Sequence, residues 1–103
     1  MIDRSIQIKA MASEQRLLIL ELLAHPEKNF GHQWSANASS FGVCMTLIAE
    51  ALSVTQPTIS RHLEILNQAD FIKIKKHLKW KYCERNNNQI NEYLDWLANK
   101  LSY

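Results

Sequence analysis

The 103-residue chain has few of the residues that interrupt regular structure or build covalent frameworks. Two glycines and two prolines argue against disorder and against an all-β fold with many turns. Two cysteines, Cys44 and Cys83, are too few for a disulfide scaffold, and we interpret both as free thiols. No apolar run approaches the roughly 20 residues that a membrane helix needs. We therefore expect one soluble, cytoplasmic domain over residues 1–103, built mainly from helices.

The sequence also lacks the residue spacings that are typical of enzyme sites. It contains no glycine-rich phosphate loop, no pair of carboxylates at catalytic spacing and no nucleophile followed by a base. Metal-site patterns such as Cys-x-x-Cys are missing as well. These absences favour a binding protein over an enzyme, and we expect no cofactor.

Positive charge is concentrated in one segment, although the net charge is only +2. Residues 71–85 contain six of the 12 Lys and Arg residues but only one of the 10 Asp and Glu residues. The remainder of the chain is acidic on balance. A localised basic segment of this kind is typical of a surface that binds phosphate groups, which makes nucleic acid the expected partner.

The N-terminal quarter has helical periodicity, with a break expected near Ser13, a residue type that favours the helix N-cap. This predicts helix over residues 3–24, which the His25-Pro26 pair should end. Residues 25–42 are predicted to form a long loop held to the core by aromatic side chains. Loops of this length are uncommon and often functional, so a ligand site remains open beside a peripheral insertion.

The centre of the chain predicts two helices joined by a very short connection. A first helix is expected over residues 45–52 and a second from about 56 to 69, with Pro57 tolerated in its first turn. In the second helix, Ile59 and Leu63 fall on one face with Leu66 and should face the core. The connection between them is therefore about three residues, which suits a helix-turn-helix.

The pattern then changes to a period of two, which predicts a β-hairpin. Ile72, Ile74, Trp80 and Tyr82 are expected on an apolar face, with the intervening lysines on the opposite face and the turn at residues 76–78. We interpret the two aromatic residues as packing groups rather than base-stacking groups. A last helix should follow the Asn86-Asn87-Asn88 run and end near Lys100, with apolar residues along one stripe.

This helix pair has the features that DNA reading requires. Ala49 permits close packing of the two helices, Val54 fills the core at the turn, and Ile59 anchors the second helix. Polar side chains near the start of the second helix are candidates for base contacts. They are Gln56, Thr58, Ser60, Arg61 and His62. The basic hairpin supplies candidates for phosphate contacts. They are Lys73, Lys75, Lys76, Lys79 and Lys81.

The segment from Leu47 to Leu66, with its Gln-Pro-Thr-x-Ser-x-His-Leu core, resembles the arsenical-resistance-repressor (ArsR/SmtB) family of winged helix-turn-helix regulators. The Arg-Leu-x-Ile-Leu string at residues 16–20 and the Trp-Lys-Tyr of the hairpin extend the resemblance. The expected fold is about five helices with a two-stranded wing. Ser53 and Asp70 depart from the pattern, because glycine is common at both positions.

The resemblance implies a homodimer, paired through the first and last helices, that regulates transcription from a palindromic operator. The recognition helix would span about 56–68 and the basic wing about 71–85. Repression is the expected sign of regulation, and double-stranded DNA and a second copy of the chain are the expected partners.

Two alternatives remain open on the residues. A winged helix can also serve as a protein-interaction module without DNA reading, although such a module needs neither a basic wing nor polar residues on the second helix. The chain could also be a metal- or redox-responsive repressor using Cys44, with His25 or His32 from the loop as further ligands. We expect no metal site, because only one cysteine stands where some relatives carry a pair, and we expect Cys44 to be a small buried apolar group.

Overall fold

A computed structural model describes residues 2–103, with Ser39 described by its backbone alone. Met1, the first residue of the expected domain, lies outside the described residues. The described chain is mainly helical, with seven helices and three short strands. In chain order these are α1 Arg4–Met11, α2 Glu14–Leu23, α3 Pro26–Phe30, α4 Ala38–Phe41, β1 Val43–Cys44, α5 Met45–Leu52, α6 Gln56–Gln68, β2 Ile72–His77, β3 Trp80–Arg85 and α7 Asn87–Leu101.

Side-chain caps determine where several helices begin. The Ser13 hydroxyl accepts a hydrogen bond from the Arg16 amide, so the expected break between α1 and α2 is confirmed. The Asn86 side chain accepts one from the Gln89 amide at the start of α7. Helices α5 and α6 occupy the expected ranges, because their local signals agree with their packing.

The expected loop over residues 25–42 is partly wrong, because it contains two short helices, α3 and α4. Pro26 does follow the end of α2, but it also occupies the first turn of α3, where its missing N–H is tolerated. Gln33 then ties the segment to the sheet. Its Oε1 accepts from the Cys44 amide at 2.7 Å, and its Nε2 donates to the Gly42 carbonyl at 3.0 Å.

The wing has a third strand that the sequence pattern did not predict. Strand β1 is two residues long and pairs with β3, which gives the strand order β1-β3-β2 with antiparallel neighbours. A strand this short has no detectable periodicity, so only its partner reveals it. It places the start of α5 directly beside the wing.

The core is formed where α2, α5, α6, β2 and α7 meet. Ile19, Ile48, Ile59, Leu63 and Phe71 are all completely buried. One polar side chain, that of Gln7 in α1, is equally buried, and its amide donates to the Ala69 carbonyl and to Gln89 Oε1. Its polar atoms are therefore satisfied, as burial requires. Among residues 2–103, no helix combines the length and apolar character that crossing a membrane demands.

Candidate nucleic-acid interface

The connection between α5 and α6 is a three-residue turn built on a left-handed Ser53, whose φ is 56°. The Ser53 amide donates to the Glu50 carbonyl at 3.1 Å, and the Val54 amide donates to the Ala49 carbonyl at 3.0 Å. This double hydrogen bond is the Schellman pattern that ends many helices. Glycine adopts a positive φ most easily, so Ser53 holds a backbone conformation that is less favourable for its residue type. Asp70 has the same role after α6, with φ 65°.

The first turn of α6 is capped by a threonine and exposes a second one. Thr55 Oγ1 accepts from the Thr58 amide at 3.4 Å and donates to Thr58 Oγ1 at 3.0 Å. The exposed Thr58 side chain is therefore held in one orientation at the start of the helix. A fixed hydroxyl and methyl at this position suit contact with a base edge.

Helix α6 has a buried face and an exposed polar face. Ile59, Leu63 and Leu66 are completely buried and anchor the helix, as the sequence predicts. Four of the five candidate base-reading residues lie exposed within the first two turns. They are Gln56, Thr58, Ser60 and Arg61. Arg61 and Ser60 line an open groove along the helix with Pro57 and Glu64.

His62, the fifth candidate, is half-buried and tied to α2 instead of projecting freely. Its Nε2 lies 2.8 Å from Gln15 Oε1, and its Nδ1 lies 3.2 Å from Arg16 Nη1. A neutral ring that donates from Nε2 and accepts at Nδ1 satisfies both contacts. Burial and the nearby guanidinium groups of Arg16 and Arg61 lower the pKa of His62 from 6.5. His62 therefore holds α6 against α2.

Arg16 belongs to the Arg-Leu-x-Ile-Leu string, but its contacts could not be predicted from that pattern. Its Nε donates to the Ala10 carbonyl at 2.8 Å and its Nη2 to the Lys9 carbonyl at 3.0 Å, which satisfies the end of α1. The third contact is to His62. One guanidinium group thus joins α1, α2 and α6, and fixes the angle at which α6 is presented.

The expected arrangement of the wing is wrong, because its strands pair in a different register. His77 pairs with Trp80 and Ile74 pairs with Cys83, so the turn is Leu78-Lys79 and not residues 76–78. The expected turn would have paired Ile74 with Trp80, whereas the structure pairs Ile74 with Cys83, which is an odd number of residues further along β3. A displacement by an odd number of residues exchanges the two faces of a strand. The isoleucines and the aromatic residues of the hairpin therefore lie on opposite faces.

The aromatic face of the wing is covered by the segment before β1. Tyr82 is buried, its ring contacts that of Phe41 at a centroid distance of 4.8 Å, and its hydroxyl donates to Ser35 Oγ at 2.9 Å. Trp80 meets Trp34 edge to face at 6.0 Å. The aromatic residues of the 25–42 segment thus attach it to the wing. Trp80 and Tyr82 make packing contacts here, as we interpreted them.

The five candidate lysines of the wing are exposed but are divided between its two faces and its tip. Lys76 and Lys81 are directly paired on one face, whereas Lys73 and Lys75 lie on the other with Glu84 and Tyr82 opposite them. Lys79 lies in the turn.

Two of these lysines pack over aromatic rings. Lys75 Nζ lies 4.4 Å from the centroid of Phe41 and Lys79 Nζ lies 5.2 Å from that of Trp80. These are cation–π distances, so both ammonium groups are oriented although exposed.

Helix α6 and the wing meet in one groove. Gln56 from the start of α6 lines it together with Lys79 and Lys81 from the wing and Thr46 from α5. Polar side chains and two ammonium groups thus face the same space. A groove with this composition can accept a phosphate backbone beside a base edge.

The three weak metal-ligand candidates are not gathered at one place. His32 lines a small cavity with Cys44, whereas His25 lines a separate groove between α2 and α7. No group of three or more His, Cys, Asp or Glu side chains among the described residues could hold a metal ion.

The two cysteines are buried free thiols that lie on adjacent strands. Cys44 is opposite Tyr82 and Cys83 is opposite Val43, so their side chains point to opposite faces of the sheet. Burial is the main reason that the pKa of Cys83 rises to about 12. Cys83 is therefore a protonated, unreactive thiol at neutral pH.

Comparisons with known proteins agree on the class of this chain. Residues 44–73 match the family model "Bacterial regulatory protein, arsR family". YbzH of Bacillus subtilis (strain 168), an uncharacterized HTH-type transcriptional regulator, is 33% identical over 90% of this chain and 93% of its own length. The transcriptional repressor SdpR of the same strain is 28% identical over 88% of this chain and 84% of its own length.

Solved structures share the fold at lower identity. An ArsR family transcriptional regulator has a TM-score of 0.72 at 15% identity, covering 97% of this chain and 92% of its own. HlyU from Vibrio cholerae has a TM-score of 0.61 at 18% identity, covering 95% and 90%. The helix-turn-helix, the three-stranded wing and the relationship to YbzH lead to one conclusion: this chain belongs to the ArsR family of transcriptional regulators.

Proposed function

We propose that this chain is a sequence-specific DNA-binding repressor that acts as a homodimer on a palindromic operator. The observation that carries the proposal is the shared groove in which Gln56 of α6 faces Lys79 and Lys81 of the wing. Base reading and phosphate binding then come from adjacent elements of one surface. In a cell without a nucleus, DNA as the partner implies a cytoplasmic location, and the task is then regulation rather than catalysis.

The exposed face of α6 supports base reading in the major groove. Gln56 can form two hydrogen bonds with adenine, Arg61 can form two with guanine, and the Thr58 methyl can contact thymine. His62 is assigned a different role from the other four candidates, because both its ring nitrogens have partners on α2. We assign to His62 the orientation of α6, and to the other four candidates the contacts with bases.

The wing supports phosphate binding through Lys79, Lys81 and Lys76 near its tip. Each phosphate neutralised by a lysine releases counterions, so each contact steepens the decrease of affinity with salt by about one unit of slope. Lys73 and Lys75 contribute less, because Lys73 is opposite Glu84 and Lys75 lies over Phe41.

Exposed apolar side chains on the first and last helices support the homodimer. Ile6 is 41% exposed, Leu94 49% and Leu101 71%. Within one chain, an ion pair at 3.2 Å joins Arg4 of α1 to Glu92 of α7. Apolar surface of this kind is buried in oligomers. Two-fold pairing would place the two α6 helices about 34 Å apart, one turn of DNA.

Sedimentation velocity at micromolar concentration tests the dimer. The native chain should sediment as a dimer and Leu94→Glu as a monomer. Leu78→Glu is the matched control, because Leu78 is also an exposed leucine, at 79%, but lies at the wing tip. It should remain a dimer. A monomeric native chain would contradict the proposed assembly.

Selection from a random pool of duplex DNA tests the function and separates it from a protein-interaction module. A dimeric reader should enrich an inverted repeat with half-sites about 10 base pairs apart. SdpR is named a repressor, which is the reason that repression is proposed here. Insertion of the selected sequence downstream of a promoter should lower reporter expression when the protein is present. A pool with no enriched sequence would favour the protein-interaction module.

A further inference from the structure

A small cavity separates the 31–37 segment from α5 and from the beginning of β3. Its volume is about 150 Å³. Pockets for drug-sized ligands are larger, about 300–1,000 Å³, so this cavity suits a molecule of only a few heavy atoms. It lies outside the proposed DNA-reading surface of α6.

Two tryptophan rings form a corner of the cavity. The Trp34 and Trp80 ring centroids lie 6.0 Å apart and the ring planes meet at 87°. Trp34 is 84% exposed, so most of its indole has no protein neighbour. The faces of indole rings are negative and attract cations more strongly than those of other side chains. Lys79 Nζ already lies 5.2 Å from the Trp80 centroid, but Lys79 lines the neighbouring groove with Gln56 and not this cavity. The Trp34 ring and the part of Trp80 that lines the cavity therefore offer two walls of a cation-binding cage.

The opposite wall comes from one face of α5. Thr46, Leu47 and Glu50 line the cavity, and their spacing places them along the same side of the helix. Among the described residues that line the cavity, Glu50 is the only carboxylate, and none is a lysine or arginine. A carboxylate that lines the same cavity as two indoles favours a positive ligand and repels an anion, and His32 and Cys44 are the other titratable side chains of the lining.

We propose that this cavity binds a small organic cation with an alkylated ammonium group, such as a quaternary amine. The methyl groups would contact the Trp34 and Trp80 rings, and the charge would lie toward the Glu50 carboxylate. An inorganic cation suits the cavity less well, because it would exchange part of its water shell for two indole rings and would find Glu50 as the only carboxylate among the described lining residues.

Occupation of the cavity would affect the proposed DNA surface. Cys44, Thr46 and Trp80 line both this cavity and the groove that contains Gln56 and Lys79. A ligand that holds Trp80 against α5 therefore fixes the wing relative to the helix-turn-helix. This regulatory consequence rests on the proposed DNA binding, whereas ligand binding itself does not.

Nuclear magnetic resonance of the tryptophan indole N–H groups tests the binding directly. Choline chloride is titrated into the 15N-labelled chain against equal concentrations of sodium chloride. The Trp34 and Trp80 signals should shift and saturate, and the Trp96 signal in α7 should stay in place as an internal control. The neutral isostere 3,3-dimethylbutan-1-ol should bind at least about tenfold more weakly, since it lacks the charge. Equal binding of both compounds would overturn the assignment of a cation site, as would the absence of saturable shifts.

Substitutions of cavity residues test where choline binds. Trp34→Ala and Glu50→Gln change exposed residues, so both should fold, and each should weaken choline binding by about fivefold to thirtyfold. Glu21→Gln, an exposed carboxylate on α2, should bind choline as the native chain does. Unchanged binding in both cavity variants would overturn the site.

Operator affinity is then measured with and without saturating choline to test the regulatory consequence. We expect choline to change the operator affinity at least twofold, and we expect Trp34→Ala to abolish this change. Saturable choline binding without any specific DNA binding would reject the proposed repressor while leaving the cation site intact. Unchanged affinity for an operator that the protein does bind would reject the coupling alone.

Discussion

The helix-turn-helix and the wing differ in what determines their structure: local sequence signals in the first, and contacts between residues far apart in the chain in the second. In α5 and α6 the local signals agree from the Thr55 cap to the buried Ile59, with the left-handed Ser53 as the exception, and the ranges of both helices follow from those signals. In the wing, the strand pairing depends on a turn with Leu78 at φ 57°, and the aromatic face depends on the 31–42 segment. The proposed reading element, α6, is thus defined by local sequence, whereas the proposed phosphate-binding element, the wing, is defined by tertiary contacts.

The largest expected effect comes from the core of α6. Ile59 is completely buried, so Ile59→Ala should lower the free energy of unfolding by about 2–5 kcal/mol. Phe41→Ala should lower it by less, because Phe41 is only half-buried, but it removes the cover of Tyr82. Urea denaturation measures both, and hydrogen exchange should show faster opening of β3 in Phe41→Ala only. An equal loss of stability would contradict the contrast between the two regions.

Removal of one proposed base contact should have the next largest effect. Arg61→Ala should reduce discrimination between the operator and a scrambled duplex by about 1–3 kcal/mol. Lys79→Ala and Lys75→Ala should weaken binding to both duplexes, with Lys75 the smaller effect because it lies over Phe41. Fluorescence anisotropy with both duplexes measures this. If Lys79→Ala changed the preferred sequence, or Arg61→Ala did not, the two roles would have been assigned wrongly.

Glycine substitutions at the three left-handed positions Ser53, Asp70 and Leu78 should stabilise the protein by smaller amounts. A left-handed conformation costs a residue other than glycine about 1–2 kcal/mol, and the flexibility of glycine offsets about half of that. Leu78→Gly and Ser53→Gly should therefore each raise the free energy of unfolding by about 0.5–1 kcal/mol. Asp70→Gly should gain less, because Asp tolerates this conformation better. Thermal denaturation of the three variants gives the ranking, and a loss of stability in Leu78→Gly would contradict it.

These turns also explain which parts of the fold could be predicted from the sequence. The ranges of α5 and α6 and the break at Ser13 follow from caps and periodicity, which are local. The register of the wing does not, because neither Leu78 nor Lys79 is a residue that marks a hairpin turn. Strand β1 and the Arg16–His62 contact depend on residues far away in the sequence, and no local pattern encodes them.

Acidification should weaken the link between α2 and α6 by a modest amount. The folded-state pKa of His62 lies below 6.5, so the neutral ring is favoured in the folded chain. Its contribution to stability is complete above the unfolded pKa and is lost as the pH falls through the lowered folded value. The native chain should therefore lose more thermal stability than His62→Gln between neutral pH and mild acid. Parallel losses in the two proteins would argue against this role for His62.

No change is expected from metal, because His25 lies apart from Cys44 and His32 and no group of three ligands is present among the described residues. No change is expected from a mild oxidant, because the Cys44 thiol is buried. Operator affinity with chelator, with zinc and with dilute peroxide should be the same for the native chain and for Cys44→Ser. A loss of affinity with zinc or peroxide that disappears in Cys44→Ser would instead make this protein a sensor.

The central claim is that α6 and the wing act together as one DNA-binding surface. Operator affinity measured across a range of salt concentrations tests it most directly. The logarithm of the binding constant should fall linearly with the logarithm of salt, and Lys79→Ala and Lys81→Ala should each reduce the slope by about one. Arg61→Ala should instead lower discrimination against a scrambled duplex. A binding constant that does not depend on salt, or equal slopes in the native chain and both lysine variants, would contradict the account.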